Sequence, residues 1–224
     1  MTEALSFERD GAVLFPAALP AAEALEIAAR FEPRIAGRPG LRLQQDDLED
    51  LLGQSGALGS VAATLIGPQA RPVRAILFDK TPEANWAVGW HQDRTIAVRQ
   101  RIDLDGYGPW STKDGALHVT PPIAVLEAMV TLRLHLDDCG EDNAPLLVAL
   151  GSHRLGRVAE EEVSEQALAL PVIACHARAG DVWAYSSPIL HASERSRSGG
   201  RRRVLQVDYA AAALPGGLEW RSLD

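Results

Sequence analysis

The chain has 224 residues, 46% of them hydrophobic and 23% charged, a globular composition that excludes a disordered protein. Its formal net charge of -8 disfavours nucleic-acid binding, which depends on clustered lysines and arginines. The two cysteines, Cys139 and Cys175, indicate neither a disulfide framework nor a zinc knuckle, and no segment approaches the roughly 20 apolar residues of a membrane span.

The first 70 residues combine strand and helix signals. "GAVLFPAALP" is typical of a short apolar strand, and helical spacing follows from Pro20 to Gly37. "DDLEDLLGQSGALGSVAATLIG" has a helical pattern that ends at Gly67-Pro68. Its leucines on a plausible core face are Leu48, Leu51, Leu52 and Leu58. The N-terminal apolar run is too short for a signal peptide, so we expect a cytoplasmic protein.

From Val73 onward the chain changes to short β-type runs separated by turn residues, which predicts a sandwich or jelly roll. The runs are "VRAILF", "WAVGWHQD", "MVTLRLHLDD", "PLLVAL", "GDVWAYSS" and "RRVLQVDYAA". Residues 99–122, between the second and third runs, are rich in Gly, Pro and aromatic residues. We interpret them as a long loop that could form a lid or a wall of the site. No linker divides the chain, so a single domain over residues 1–224 is expected.

A candidate metal site lies in "GWHQDRT". On a strand, residues two apart project to one face, so His91 and Asp93 could bind the same ion while Gln92 points away and packs elsewhere. His191, which follows the β-type run in "AGDVWAYSSPILHAS", is the strongest third candidate. Two imidazoles and a carboxylate suit non-heme Fe(II), and the carboxylate argues against carbonic-anhydrase-like zinc. A lone His-x-Asp is weak, because such pairs often form surface hydrogen bonds.

Three segments that follow one another along the chain make the His-x-Asp pattern more specific. "FDKTPEANWAVGWHQD", "LRLHLDDCGEDNAPLLVALGSHRLG" and "GDVWAYSSPILHAS...RRRVLQVDY" resemble the phytanoyl-CoA dioxygenase family over about residues 70 to 210. The resemblance implies a mainly β (α+β) protein with a double-stranded β-helix core, a cupin-like jelly roll over about 71–212. N-terminal helices from about 1–70 would pack on its outside. It also implies that His91, Asp93 and His191 bind Fe(II), with 2-oxoglutarate as cosubstrate and O2 as oxidant.

A 2-oxoglutarate site needs a cation, and arginine binds a carboxylate through two parallel hydrogen bonds. Strand parity does not choose among Arg201, Arg202 and Arg203. The family pattern, an arginine 11 residues after the distal histidine and a hydroxyl two residues after it, implies Arg202 and Ser193. For Arg201, as for Arg195 and Arg197, we favour a solvated loop.

Further pocket residues come from the neighbouring strands. Lys80 is our choice of pocket cation. Asp79 stands where relatives tend to have Asn, which leaves the role of that position open. "MVTLRLHLDD" alternates, with Thr131, Arg133 and His135 on one face. That face either borders solvent or lines the pocket, and in the pocket Arg133 would anchor an acidic substrate.

The remaining motifs have weaker functional signals. Trp110, in the candidate lid, is expected in the substrate pocket, and His118 there is a weak candidate for a substrate contact. In "DNAPLLVALGSHRLG", Ala144 and Leu150 replace the Gly and Pro that are commoner in the family. His153 is interpreted as structural, bonding across the turn. His176 is interpreted as a surface residue.

The expected function is hydroxylation of a small-molecule substrate, with release of succinate and CO2. Asp93 favours hydroxylation over halogenation, because halogenating relatives carry a small residue at that position. Two alternatives stay open: an iron-dependent cupin-type enzyme that does not use 2-oxoglutarate, and a non-catalytic ligand-binding jelly roll. The substrate's identity, CoA thioester or free metabolite, and the oligomeric state do not follow from the sequence.

Overall fold

A computed structural model describes residues 4–44, 48–113, 115–221 and 223. The helices in these parts are α1 (Phe7–Asp10), α2 (Ala21–Ile35), α3 (Glu49–Leu52), α4 (Ala57–Ile66), α5 (Ile123–Glu127) and α6 (Val163–Leu168). The strands are β1 (Ala12–Phe15), β2 (Gly40–Arg42), β3 (Arg71–Lys80), β4 (Val88–His91), β5 (Ile96–Val98), β6 (Trp110–Lys113), β7 (Ala116–Val119), β8 (Met129–His135), β9 (Leu146–Ala149), β10 (Val172–Cys175), β11 (Val182–Ser186), β12 (His191–Ser193) and β13 (Arg202–Ala210). The protein is therefore mainly β with short helices, as predicted.

An antiparallel six-stranded sheet, in the order β1-β11-β8-β13-β3-β2, carries the main core on its outer face. Alternate residues such as Leu77, Leu132 and Leu205 point outward and pack against α2, α3 and α4. The Tyr209 hydroxyl donates to the carbonyl of Leu52 at 3.0 Å, which ties β13 to the end of α3. The N-terminal helices thus lie on the outside of the sheet, as expected.

The inner face of the six-stranded sheet is opposed by an antiparallel four-stranded sheet, in the order β10-β9-β12-β4. Side chains of both sheets meet in one apolar cluster, to which Val148 and Cys175 contribute from one side and Trp183 and Tyr185 from the other. The rest of the space between the sheets is a cavity lined by polar and apolar side chains from both sheets.

The first 70 residues form more than a helical layer. β1 and β2 occupy the two edges of the six-stranded sheet. The helical pattern around Leu51 yields two helices, α3 and α4, separated by a turn at Gly53–Gly56, and all four leucines predicted for its core face are buried. Among the described residues, no helix combines the length and apolar character needed to cross a bilayer.

The interpretation of residues 99–122 as a long loop is wrong in part. β6 and β7 lie within this range and, with β5, form a three-stranded sheet in the order β5-β7-β6. The sheet packs against Leu218 and Trp220 of the C-terminal segment. Each strand has only three or four residues and β6 is largely exposed, so neither gave the alternating apolar pattern by which strands are recognised.

Candidate metal centre and adjoining cavity

The structure brings together the three predicted ligands. His91 is the last residue of β4, Asp93 lies in the extended segment after it, and His191 begins β12, the neighbouring strand. One ligand atom from each lies within 4.8 Å of the others, so the three could hold a metal ion. His91 and His191 are direct partners in the β4–β12 pair, and their ring centroids are 4.1 Å apart.

The orientation of both imidazoles is fixed by their own strands. Nδ1 of His91 lies 2.9 Å from the carbonyl of Gly89, and Nδ1 of His191 lies 2.9 Å from that of Ile189. Because a carbonyl only accepts, each Nδ1 must carry the proton, which leaves the Nε2 lone pair for a metal. Burial, together with the neighbouring His91 ring, lowers the pKa of His191 to about 4, so that this imidazole is neutral near pH 7.

Asp93 is supported by a chain of polar side chains that begins at the partly exposed Arg74 and continues into the interior. Arg74 lies with Nη2 3.7 Å from Oδ2 of Asp93 and donates from Nε to Asp208 at 2.5 Å. Thr131 in turn donates to Asp208 at 3.1 Å and lies 3.1 Å from the Ser187 hydroxyl. Burial alone would raise the pKa of Asp93, but Arg74 and the two histidines outweigh burial and lower it. Asp93 is therefore held ionised, as a metal ligand requires.

Replacing Arg74 by glutamine should weaken metal binding by about 10- to 100-fold, because the partner that orients Asp93 is lost. The single variant should also lose stability, since Asp208 keeps a buried charge without its cation. In the double variant Arg74→Gln/Asp208→Asn the buried charge of Asp208 is removed as well and only the partly exposed Asp93 loses its cation, so most of the stability should recover while metal affinity stays low. Titration with Mn(II) and thermal unfolding measure the two effects; normal metal affinity in Arg74→Gln would contradict this role.

A cavity of about 170 Å³ adjoins the candidate ligands between the two sheets. Its polar lining includes Arg133 from β8, Ser193 from β12, and Arg202 and Gln206 from β13. The Arg133 and Arg202 side chains are 7% and 3% exposed, and the Nε atom of each has no hydrogen-bond partner in the structure. Buried polar groups are almost always hydrogen-bonded, so these two orphaned donors indicate that an anion belongs in the cavity.

Lys80 contacts Ser193 in the cavity wall but does not itself line the cavity. The side chain is fully buried, and its ammonium donates to the Ser193 hydroxyl at 3.2 Å and to the Glu194 carbonyl at 2.6 Å. Burial and the neighbouring cations Arg202 and Arg133 lower its pKa to about 8. Its position beside Ser193 and Arg202 is compatible with the predicted role of pocket cation.

The three consecutive arginines at the start of β13 alternate in direction. Arg202 points into the cavity, and Arg203 points outward to form an ion pair with Asp137 at 2.7 Å. Arg201 was predicted to be solvated, which is wrong: its guanidinium pairs with Asp79 at 2.6 Å and with Glu32 of α2 at 2.7 Å. The same contact explains Asp79, whose side chain faces away from the cavity.

A sequence departure from the family lies next to Arg202. Nη1 of Arg202 donates to the carbonyl of Ala144, the residue that replaces the commoner glycine. Ala144 has φ of +50°, in the left-handed region that glycine adopts without steric cost. The preference for glycine at this position therefore has a conformational reason, and alanine retains the turn that presents its carbonyl to Arg202.

The polar face of β8 is buried, so of the two alternatives left open by the sequence the one in which it borders solvent does not hold. Both faces of the strand are inaccessible, and only Arg133 of the three predicted residues lines the cavity. Thr131 is part of the Asp208 chain. Both ring nitrogens of His135 are buried without a hydrogen-bond partner, and burial together with Arg133 and Arg202 lowers its pKa well below the usual value.

The prediction that Trp110 lines the substrate pocket is not supported by its position. Its ring packs with the three-stranded sheet, under the guanidinium of Arg101 at 5.4 Å, and does not line the metal cavity. His118 is fully buried in β7, with Nδ1 2.9 Å from the carbonyl of Ala116, and does not line that cavity either. Both belong to the packing of the three-stranded sheet.

Three other side chains have structural positions. His153 lies with Nε2 3.3 Å from the carbonyl of Glu8, so it contacts α1 and does not bond across its own turn. His176 is exposed, as interpreted. Gln92 points away from the metal ligands, as expected. It does more than pack, because its amide donates to the carbonyls of Gly156 and Pro188 at 2.8 Å each.

Sequence reasoning did not identify Arg74 or Gln206 as site residues. Arg74 lies in the β-type run "VRAILF", which precedes His91. A charged residue within an otherwise apolar strand is a signal of a buried polar role that could have identified it. Gln206 accepts from Nη1 of Arg133 at 2.8 Å, across the β8–β13 pair. Gln206 lies four residues after Arg202 on β13, so strand alternation places both side chains on the same face. Once Arg202 is assigned to the cavity, Gln206 is expected on the inner face as well.

Two larger depressions adjoin the centre. A groove of about 940 Å³ at the β2–β3 edge shares Ile76, Phe78 and Trp86 with the metal cavity. A second pocket, of about 490 Å³, lies on the other side of His91 and Asp93 and includes Lys113. The groove thus shares part of its lining with the cavity, and the second pocket is lined by two of the three candidate ligands, His91 and Asp93.

Comparison with known proteins gives one family and a set of similar folds. The model of the phytanoyl-CoA dioxygenase family matches residues 7–204. No curated protein matches the chain by sequence.

Solved structures with similar folds include several enzymes. AviO1 from Streptomyces viridochromogenes Tue57 is 22% identical, with 94% of each chain covered and a TM-score of 0.63. The epimerase SnoN from nogalamycin biosynthesis, in complex with Fe3+, alpha ketoglutarate and nogalamycin RO, is 18% identical, covering 97% of this chain and 84% of SnoN with a TM-score of 0.68. EctD from S. alaskensis in its apoform is 18% identical, covering 94% of this chain and 79% of EctD with a TM-score of 0.67. At these identities the likeness establishes the fold alone.

Proposed function

The chain belongs to the phytanoyl-CoA dioxygenase family, and on that premise we propose that it is an Fe(II)- and 2-oxoglutarate-dependent dioxygenase that hydroxylates a small molecule. The observation that carries the proposal is the placement of a His-Asp-His cluster beside a buried cavity with two unpartnered guanidinium nitrogens. We further propose that the two opposed sheets form the double-stranded β-helix expected from the sequence.

The donor set of the cluster fits iron. His91, Asp93 and His191 offer two imidazole nitrogens and one carboxylate oxygen, the combination typical of non-heme Fe(II) oxygenases. Both imidazoles are already oriented by backbone carbonyls, and Asp93 is oriented by Arg74. The three side chains would therefore hold the metal on one side and leave its other positions for ligands.

The cavity fits 2-oxoglutarate. The unpartnered Nε of Arg202 and the hydroxyl of Ser193 lie where the distal carboxylate is expected, and Lys80 donates toward the same end. When bound, iron and 2-oxoglutarate supply oxidation by O2, in which 2-oxoglutarate becomes succinate and CO2. Arg202 and Ser193 would fix the cosubstrate, and the buried side chain of Leu146 would form an apolar part of the wall.

Asp93 supports hydroxylation over halogenation, because a carboxylate occupies the position that a halide would need.

The test of the proposed function is turnover by purified protein supplied with Fe(II), ascorbate, 2-oxoglutarate and O2. Succinate should form only when 2-oxoglutarate is present, which also separates this proposal from a cupin-type enzyme. With a substrate in hand, isotopically labelled O2 should place one labelled oxygen in the product; an unlabelled product would contradict hydroxylation.

The pKa of Lys80 predicts a pH dependence of cosubstrate use. Lys80 is charged below its pKa of about 8 and neutral above it, so kcat/KM for 2-oxoglutarate should fall as the pH rises through about 8. A loss of up to about tenfold is expected, because the cosubstrate carboxylate would lose a positive charge held beside it through the Ser193 hydroxyl. Arg202, Arg133 and Cys139 are the other titratable groups that act on Lys80. Lys80→Met should remove this pH dependence; the same midpoint in that variant would assign it to another group.

A further inference from the structure

Around the metal cavity, positive charge exceeds negative charge among the residues that the structure describes. The cations are Arg74, Lys80, Arg133 and Arg202, and the carboxylates are Asp93 and Asp208. Both carboxylates lie against Arg74. No described carboxylate forms an ion pair with the other three cations, although all three are more than nine-tenths buried.

Loading the proposed centre does not remove this excess. Fe(II) and 2-oxoglutarate carry opposite charges of equal size, and the one carboxylate of 2-oxoglutarate that is free of the metal would pair with Arg202. Arg133, on a different strand, keeps a buried Nε without a partner while its Nη1 donates to Gln206 at 2.8 Å. A buried cation is unfavourable unless it is paired, so Arg133 needs an anion of its own.

The groove at the β2–β3 edge offers a route to that cation. Among the residues that the structure describes, its rim has three arginines, Arg38, Arg42 and Arg195, and one acidic residue, Glu83. Between the rim and the cavity lie Phe78 and Trp86, with ring centroids 6.5 Å apart.

These two rings also contact the buried cations. The Arg133 guanidinium lies 5.8 Å from the Phe78 ring centre, and the Lys80 ammonium lies 5.1 Å from that of Trp86. Positive charge therefore stands at both ends of a short apolar passage.

We propose that the primary substrate is an organic anion whose acid group pairs with Arg133 and whose apolar body lies against Phe78 and Trp86 toward the groove. The inference rests on the proposed function, since it assumes that 2-oxoglutarate occupies the Arg202 end. In a protein of net charge -8, this passage is a local region of opposite sign that would attract anions.

The first experiment uses the wild-type protein, loaded with Fe(II) and saturating 2-oxoglutarate without oxygen. Calorimetry measures the binding of matched probes: hexanoate and phenylacetate, their neutral amides, and phenyl phosphate with phenol. The acids should bind at least about tenfold more tightly than the amides. An acid gives the buried cation a charged partner, whereas the neutral amide leaves the cation without one. The comparison of phenyl phosphate with phenol shows whether the recognised group is a phosphate and not a carboxylate. Amides that bind as tightly as the acids, or failure of every probe to bind, would overturn the inference.

Displacement of 2-oxoglutarate must be separated from binding beside it. The charge-transfer absorption of the Fe(II)–2-oxoglutarate complex should persist when an acid probe binds. Its loss would show that the acid competes for the Arg202 end and would overturn the inference. Absence of 2-oxoglutarate binding before any probe is added would instead contradict the proposed function itself.

Variants locate the acid group. In Arg133→Gln the preference for acids over amides should fall to less than about threefold, and in the exposed Arg195→Gln variant the association rate should fall and lose part of its salt dependence. Arg197→Gln is the matched control, because Arg197 is exposed and pairs with Asp142 outside the groove. A preference unchanged in Arg133→Gln would overturn the assignment. If that variant does not fold, the wild-type comparison of acids with amides still decides.

Discussion

Replacing Asp93 by alanine is expected to reduce 2-oxoglutarate turnover to the level found without protein, and His91→Ala should have the same effect. Each change removes one of three candidate ligands whose donor atoms lie within 4.8 Å of one another, so the metal would keep only two protein ligands. Succinate formation measures the loss of turnover. Binding of Mn(II) measures the loss of the metal independently of activity.

The fold should survive both changes. Asp93 and His91 lie near the end of β4, outside the main apolar cluster, and Arg74 keeps Asp208 as a partner when Asp93 is removed. His176→Ala is the matched control, because His176 is exposed and distant in sequence from the cluster. Undiminished turnover in Asp93→Ala or His91→Ala, with normal thermal unfolding, would contradict the metal assignment.

The second large effect is expected at Arg202. Arg202→Ala should raise the KM for 2-oxoglutarate by about 30-fold or more, because the distal carboxylate would be buried without a charged partner. Without cosubstrate, Arg202 is itself a buried cation whose Nε lacks a partner. We therefore expect the unloaded variant to unfold at a temperature no lower than that of the wild type.

Arg203→Ala is the matched control for this prediction. Arg203 is the next residue of β13 but points outward, where it pairs with Asp137. Its replacement should affect stability slightly and leave the KM for 2-oxoglutarate unchanged. A raised KM in Arg203→Ala and a normal one in Arg202→Ala would show that the direction of the strand is assigned wrongly.

The sequence predicted those parts of the site whose geometry is local. The spacing of His91 and Asp93 already placed them on one face, and the run "WAVGWHQD" predicted the strand that ends at His91, whereas the short strand β12 that begins at His191 lay in none of the predicted runs. The family pattern supplied what periodicity did not, namely the choice of Arg202 among three consecutive arginines. The structure adds the physical reason, because Asp79 and Asp137 each pair with one of the two outward-facing arginines.

What the sequence did not predict depends on contacts between distant segments. The partnership of Arg74 with Asp208 joins two strands, and neither residue has a local signal that names the other. The exposure of the β8 polar face was ambiguous. Alternation shows that Thr131, Arg133 and His135 share a face, but it does not show which part of the protein covers that face. Trp110 was misassigned because aromatic content does not distinguish a pocket wall from a small separate sheet.

The two faces of the six-stranded sheet have different roles: the outer face stabilises the fold, and the inner face carries side chains of the cavity. The outer face and the helices hold the main apolar cluster, whereas the inner face contributes polar side chains such as Arg202 and Gln206 to the cavity lining. Because neighbouring residues of a strand alternate between these faces, inner positions such as Gln206 can change without altering the outer packing. Such a sheet lets substrate preference diverge while the fold persists, in keeping with folds shared by an epimerase and a carbocyclase at 17% identity to this chain.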